Sequence, residues 1–239
     1  VNKVRDTEAC AESAENRFEK NEHVKRYMEN EGIAQTATPF LLFTSPSPCG
    51  RSFLASNIGV ANASEGKKIL LIDFSKDAGS LSYVNPSIEE ESNGWIRYET
   101  KLVPYLTIIV MSENNMATVD EVIKQVLFWS ENYAMVLVDV PWEHPWRERL
   151  CSIGKPIAIV DSDYHHWVQW ERATRWSGEV WLNQSEIDMT PLIQEVWGVT
   201  PSRMFPTFQQ AKKSLYRGRP LALEENMREN FLLPHDWFQ

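Results

Sequence analysis

At 239 residues, 43% of them hydrophobic and 24% charged, the chain has room for one full α/β core and is short for two, and its composition argues against both a disordered chain and a coiled-coil rod. A formal net charge of −9 leaves no basic footprint for a phosphate backbone or an anionic lipid surface, so a nucleic-acid partner is not expected. No apolar run approaches the ~18 residues of a membrane span, so stable membrane insertion is not expected and a cytoplasmic location is, whether or not a partner recruits the chain to the membrane periphery.

Residues 1–38 are rich in Glu, Lys, Asn and Arg, with Phe18, Val24, Tyr27 and Met28 as sparse apolar positions. They read as an N-terminal helical extension with a weak apolar stripe, either packed on the edge of the domain or used as a partner-binding arm. Residues 39–239 read as one α/β domain. Strands are expected at Phe40–Thr44, Lys68–Asp73, Leu106–Met111, Ala134–Asp139, Pro156–Asp161, Glu179–Leu182 and near Met204. Helices are expected at Ser52–Ser64, Ala117–Ser130, Tyr164–Trp176, Thr190–Val196 and Phe208–Tyr216. This alternation predicts a doubly wound, mostly parallel sheet with helices on both faces. Ligands in such sheets sit beyond the carboxyl ends of the strands, which directs attention to the loops after Thr44, Asp73 and Asp139.

Residues 39–80, PFLLFTSPSPCGRSFLASNIGVANASEGKKILLIDFSKDAGS, resemble the opening β-loop-α-β unit of the MinD/ParA-type (SIMIBI class) P-loop ATPases, which reads like SGKGGVGKTT…N…GKKVLLIDxD. With Asn57 set on the family's helix Asn, Gly50, Arg51 and Ser52 fall on the Gly-Lys-Thr of the Walker A loop, and Asp73 falls on the acidic residue ending the second strand. The run Tyr133 to Pro141 is similar to the Walker B strand, with Asp139 as its carboxylate. Asn183 stands where family members read the adenine edge, and Gly198–Pro206 followed by Lys212–Pro220 is similar to the closing stretch. The resemblance covers about residues 39–225. It implies a P-loop domain whose nucleotide site would comprise Gly50, Arg51, Ser52, Asp73, Asp139 and Asn183. ATP or ADP with Mg would be the ligand, Ser52 and Asp73 would face the metal, and Asp73 and Asp139 would be the catalytic carboxylates of an active member.

The loop departs from that pattern at several points. Pro46 and Pro48 have no N–H to offer a phosphate and fix φ near −65°. Arg51 replaces a compact ammonium with a broad planar fork. Pro46 also occupies the position of the signature Lys that reaches the partner subunit's phosphates. After Asp73 the second acidic residue is replaced by Ser75, with Asp77 displaced beyond it. The bland readings stay open: Ser52 as a helix N-cap, Asp73 and Asp139 as loop caps. Together these departures imply a degenerate Walker A loop with no bound cofactor. The expected function is that of a non-hydrolysing pseudo-ATPase, TadZ-like in character. Such a protein would bind protein partners as an assembly or localisation factor for a pilus or secretion machine, and would form a homodimer. The alternative is an atypical active ATPase.

Cys10, Cys49 and Cys151 have neither a disulfide count nor metal-type spacing. On a helix the adjacent His165 and His166 diverge by about 100°, so they are not expected to share a metal; His144 reads as part of a rigid loop. Trp167 and Trp170 share a helix face, as core or as an aromatic contact surface beside Trp176 and Trp181. The only basic cluster, Lys212–Arg219, reads as a solvated helix end, and the C-terminus has no basic amphipathic helix.

Overall fold

Apolar runs too continuous for a one-sided sheet become the centre of a parallel one, buried on both faces. The computed structural model describes residues 38–86, 88–112, 115–173, 176–185 and 188–238; the extension expected over residues 1–38 lies outside them except for Thr38. The strands are β1 (Phe40–Thr44), β2 (Ile69–Asp73), β3 (Ile88–Ser92), β4 (Trp95–Glu99), β5 (Leu106–Met111), β6 (Met135–Asp139), β7 (Lys155–Asp161), β8 (Glu179–Asn183) and β9 (Arg203–Met204). Among the described residues they form a nine-stranded sheet in the order β3-β4-β5-β2-β6-β1-β7-β8-β9. β4 runs antiparallel to both neighbours and the other pairs are parallel. The chain is therefore a doubly wound α/β fold.

The helices are α1 (Arg51–Ser64), α2 (Leu81–Val84), α3 (Val119–Ser130), α4 (Arg147–Cys151), α5 (Tyr164–Ala173), α6 (Thr190–Trp197), α7 (Ala211–Arg217) and α8 (Glu225–Arg228). α1 is buried from Phe53 to Ala63, packed in the main core with Leu41, Phe43, Ile69, Leu71 and Leu137. The alternate residues Leu42, Leu70, Ile72, Val136 and Val138 are equally buried, so both sheet faces are covered. Two buried amides lock the C-terminal segment onto α1. Asn57 donates Nδ2 to the Phe53 carbonyl and accepts the Ala222 N–H at 3.0 Å, and Asn62 accepts the Leu233 N–H at 3.3 Å. Each amide thus satisfies backbone groups that would otherwise be buried without a partner.

Several boundaries differ from the sequence expectation. The β3–β4 hairpin was not anticipated; it turns on Asn93 and Gly94, both at positive φ, which the tight turn between Ser92 and Trp95 requires. α3 starts at Val119, because Thr118 and Glu121 form a reciprocal capping box that fixes the first turn. α5 stops short of Trp176, whose indole N–H donates to the Glu179 carbonyl at 2.9 Å. α7 starts at Ala211, because Phe208 is drawn into the cluster of Phe53 and Phe231. Trp167 and Trp181 are both core residues, 2% and 1% exposed, so neither contributes to an aromatic contact surface. Lys212, Lys213 and Arg217 on α7 are exposed, as a solvated helix end requires. Among the described residues no helix is long and apolar enough to cross a membrane.

Candidate functional site

The site lies where β1 gives way to α1, with β6 on one side and β7 on the other. The connecting loop, residues 45–50, satisfies much of its polar backbone by itself. The Ser47 N–H donates to Ser45 Oγ at 3.3 Å, Ser45 Oγ donates to the Ser47 carbonyl, and the Cys49 N–H donates to that carbonyl at 2.8 Å. Pro46 and Pro48 supply no N–H. Gly50 then takes a left-handed conformation at φ 79° and serves as the N-cap of α1, so Ser52 sits inside the first turn and is not the cap.

The six residues singled out from the sequence gather around this loop. Asp73 and Asp139 are paired neighbours at the ends of β2 and β6, both fully buried. Asp73 accepts the Ser75 N–H and the Ser80 N–H, each at 2.8 Å, and the Ser75 hydroxyl as well. Ser75 therefore supports Asp73 as a donor, while Asp77 is exposed in the turn that follows. Asp139 accepts the Arg51 Nε–H and, at 3.2 Å, the Ser80 hydroxyl, with the Ser52 side chain also hydrogen-bonded to it. Burial pushes the Asp139 carboxyl up to about 6; attraction from Arg51 opposes the shift and repulsion from Asp73 adds to it. Desolvation outweighs the ion pair because Asp139 has no solvent exposure, while the Arg51 side chain keeps 15%.

Asn183, at the end of β8, is 1% exposed and donates Nδ2 to the Cys49 carbonyl at 2.7 Å. The amide orientation is fixed by that contact, since a flipped Oδ1 would face another acceptor. The side chain set against an adenine edge by the resemblance is thus engaged by the loop through Nδ2, and Oδ1 is buried without a partner. A Cβ at Gly50 would come within 2.7 Å of Asn183 Nδ2, so Asn183 lies directly against the loop.

The β7 side of the loop holds a group that linear spacing did not reveal. Cys49 Sγ lies 2.7 Å from Ser47 Oγ and 3.6 Å from His166 Nδ1, and the same nitrogen lies 2.7 Å from Asp161 Oδ1. Burial raises the Cys49 thiol to about 11, partly offset by its hydrogen bond with Ser47. The only sequence signal was that Asp161 ends one strand and Cys49 follows another; their adjacency depends on β1 and β7 pairing. His144, in the loop after β6, packs against Phe74 at a tilt and against Trp146 edge-on, and burial lowers its pKa.

A central β1 followed by a loop and a helix N-terminus, with acidic residues ending the neighbouring strands, defines the P-loop NTPase class of fold. Within that class the fold is the MinD/ParA one. The chain is similar to MinD in the MinC:MinD cell division protein complex of Aquifex aeolicus, with TM-score 0.64 and 18% identity over 81% of this chain and 93% of that one. A ParA family ATPase from Chlorobium tepidum TLS gives TM-score 0.62 and 14% identity over 84% and 98%. A nucleotide-binding protein from Archaeoglobus fulgidus in complex with ADP gives 0.51 and 15% over 92% and 96%. No family model and no curated protein matches the sequence.

Proposed function

We propose that this chain is a non-hydrolysing member of the MinD/ParA class that works as a protein-binding assembly or localisation factor, with residues 39–239 as its domain and residues 1–38 as an added helical extension. The observation that carries the reading is the seating of Arg51 on Asp139. The one cation at the Walker A position neutralises the chain's own Walker B carboxylate and is not presented to a phosphate. Three further features support it. Two prolines remove donors from the cradle, the Ser47 and Cys49 N–H groups are engaged within the loop, and Asn183 closes over Gly50. A magnesium nucleotide does not fit this donor set without breaking the Arg51–Asp139 pair, so no catalytic step is assigned to Asp73 or Asp139.

The partner is a protein, and the net charge of −9 disfavours nucleic acid. A similar fold takes a protein partner in the MinC:MinD complex. A homodimer without nucleotide control, serving a pilus or secretion machine, is the form suggested by a TadZ-like loop. Calorimetry with Mg-ATP and Mg-ADP, run beside light scattering, tests the reading. No heat of binding and an unchanged mass are expected; micromolar binding with ATP-dependent dimerisation would sink it.

One observation favours the rival, an atypical active ATPase. α1 keeps a 14-residue helix behind a left-handed Gly50, the arrangement by which a helix N-terminus holds an anion. In that reading Arg51 turns from Asp139 to the phosphates. Phosphate release abolished by Asp73→Ala or Asp139→Ala would favour it.

A further inference from the structure

We propose that Cys49, His166 and Asp161 form a three-ligand site for a borderline transition-metal ion of the Zn2+ type, on the β7 side of the loop. The three donor atoms, a thiol sulfur, an imidazole nitrogen and a carboxylate oxygen, all lie within 4.8 Å of one another. Tetrahedral zinc with bonds of about 2.3 Å to sulfur and about 2.0–2.1 Å to nitrogen and oxygen sets its ligand atoms about 3.3–3.6 Å apart. The observed Sγ–Nδ1 separation of 3.6 Å already has that value, and Nδ1 and Oδ1, at 2.7 Å, need to part by only about half an ångström.

The geometry is wrong for the obvious rival, a thiol activated by a histidine and an acid. That arrangement uses the two ring nitrogens separately, one on the nucleophile and one on the carboxylate. Here a single nitrogen, Nδ1, faces both Cys49 and Asp161. Three donors aimed at one point describe a coordination centre. Sulfur with nitrogen and one carboxylate oxygen selects zinc or cobalt over magnesium or calcium.

The surroundings hold the ligands in place. Ser47 Oγ contacts the sulfur, the Asp163 N–H donates to Asp161 Oδ1 at 2.9 Å, and the Trp167 indole donates to the Asp161 carbonyl at 2.8 Å. Cys49 is buried, while the His166 side chain is 20% exposed, so the fourth position opens beside His166 for water or a partner's ligand. Binding expels the proton of the Cys49 thiol to solvent and leaves the imidazole proton on Nε2. The metal then ties the loop that precedes α1 to the start of α5, and it does so without using Arg51, Asp73 or Asp139.

The test is titration of the chelator-stripped full chain with Co2+ and, separately, with Zn2+ in competition with a chromophoric chelator. One ion per chain is expected, with a thiolate-to-cobalt charge-transfer band and the intense visible bands of four-coordinate Co2+. Cys49→Ser should abolish the charge-transfer band. His166→Ala, at a partly exposed position, should weaken zinc at least about tenfold while the far-UV circular dichroism stays that of the wild-type chain. The proposal is overturned if the wild-type chain shows no such band at one equivalent of cobalt. It is equally overturned if the band and the zinc affinity are unchanged in His166→Ala, since His166 would then not be a ligand.

Discussion

The Arg51 guanidinium seats on the Asp139 carboxylate, joining the first residue of α1 to the last residue of β6. A pair this buried is costly to break from one side, because the remaining charge has neither water nor a counter-ion. Arg51→Ala should therefore destabilise the fold by about 3–5 kcal/mol at pH 8. The loss should shrink towards pH 5, where Asp139 escapes by taking a proton. Urea midpoints at the two pH values check this, and an equal loss at both would show that Arg51 acts through packing alone.

Asp139 also sets a pH dependence with a definite sign. An unfolded Asp titrates near 3.9, whereas the folded group is pushed up to about 6, so between those values the folded chain holds a proton that the unfolded chain has released. Stability from this group is complete below about pH 4 and falls as pH rises through about 6, by on the order of 3 kcal/mol. Asp139→Asn, neutral at every pH, should remove that fall. The measurement is the slope of stability against pH from 4 to 7 in both proteins. Comparing slopes cancels the opposite contribution of carboxyls such as Glu179, whose pKa is lowered even though burial pushes it up, because its hydrogen bonds to Lys155, Trp181 and Ser202 outweigh the burial.

Gly50 and Asn183 should behave as one unit. A side chain at Gly50 meets two penalties, a backbone at φ 79° and an amide nitrogen 2.7 Å from its Cβ. Gly50→Ala is expected to cost about 1–3 kcal/mol. Asn183→Ala should cost about 1–3 kcal/mol by leaving the Cys49 carbonyl without its donor. In the double variant the clash is gone, so the combined loss should fall short of the sum by at least about 0.5 kcal/mol. Thermal or urea unfolding of the four proteins closes the cycle, and simple additivity would mean that the two residues do not touch in solution.

The parts of the fold legible in the sequence were those written locally. Leu41–Phe43, Ile69–Ile72 and Met135–Val138 are apolar throughout, and only a strand covered on both faces tolerates that. The candidate cluster of Gly50, Arg51, Ser52, Asp73, Asp139 and Asn183 was legible as a set because each stands at the carboxyl end of a strand or the start of a helix. What those side chains do was not: the seating of Arg51 on Asp139 and of Asn183 on Cys49 depends on rotamers that no motif encodes. The β3–β4 hairpin was hidden by Glu89, Glu90 and Glu91, whose charge masks a strand, although Asn93-Gly94 is a hairpin signal in its own right. The proximity of Cys49 and His166, 117 positions apart, is purely tertiary.

The weight of each lesion in the loop can be separated by restoring them in turn. Arg51→Lys gives back a compact ammonium, but the loop still has no N–H at Pro46 and Pro48, and the Ser47 and Cys49 N–H groups still point inward. On this basis Arg51→Lys alone should bind no Mg-ATP by calorimetry. A Pro46→Gly, Pro48→Gly, Arg51→Lys triple variant regains two backbone donors and the freedom to wrap an anion, and should give a measurable heat of binding. If the single variant already binds, the guanidinium was the whole obstacle and the prolines are tolerated. If the triple variant binds nothing, the obstacle is Asn183 seated over Gly50, and the site was closed from the β8 side and not by the loop.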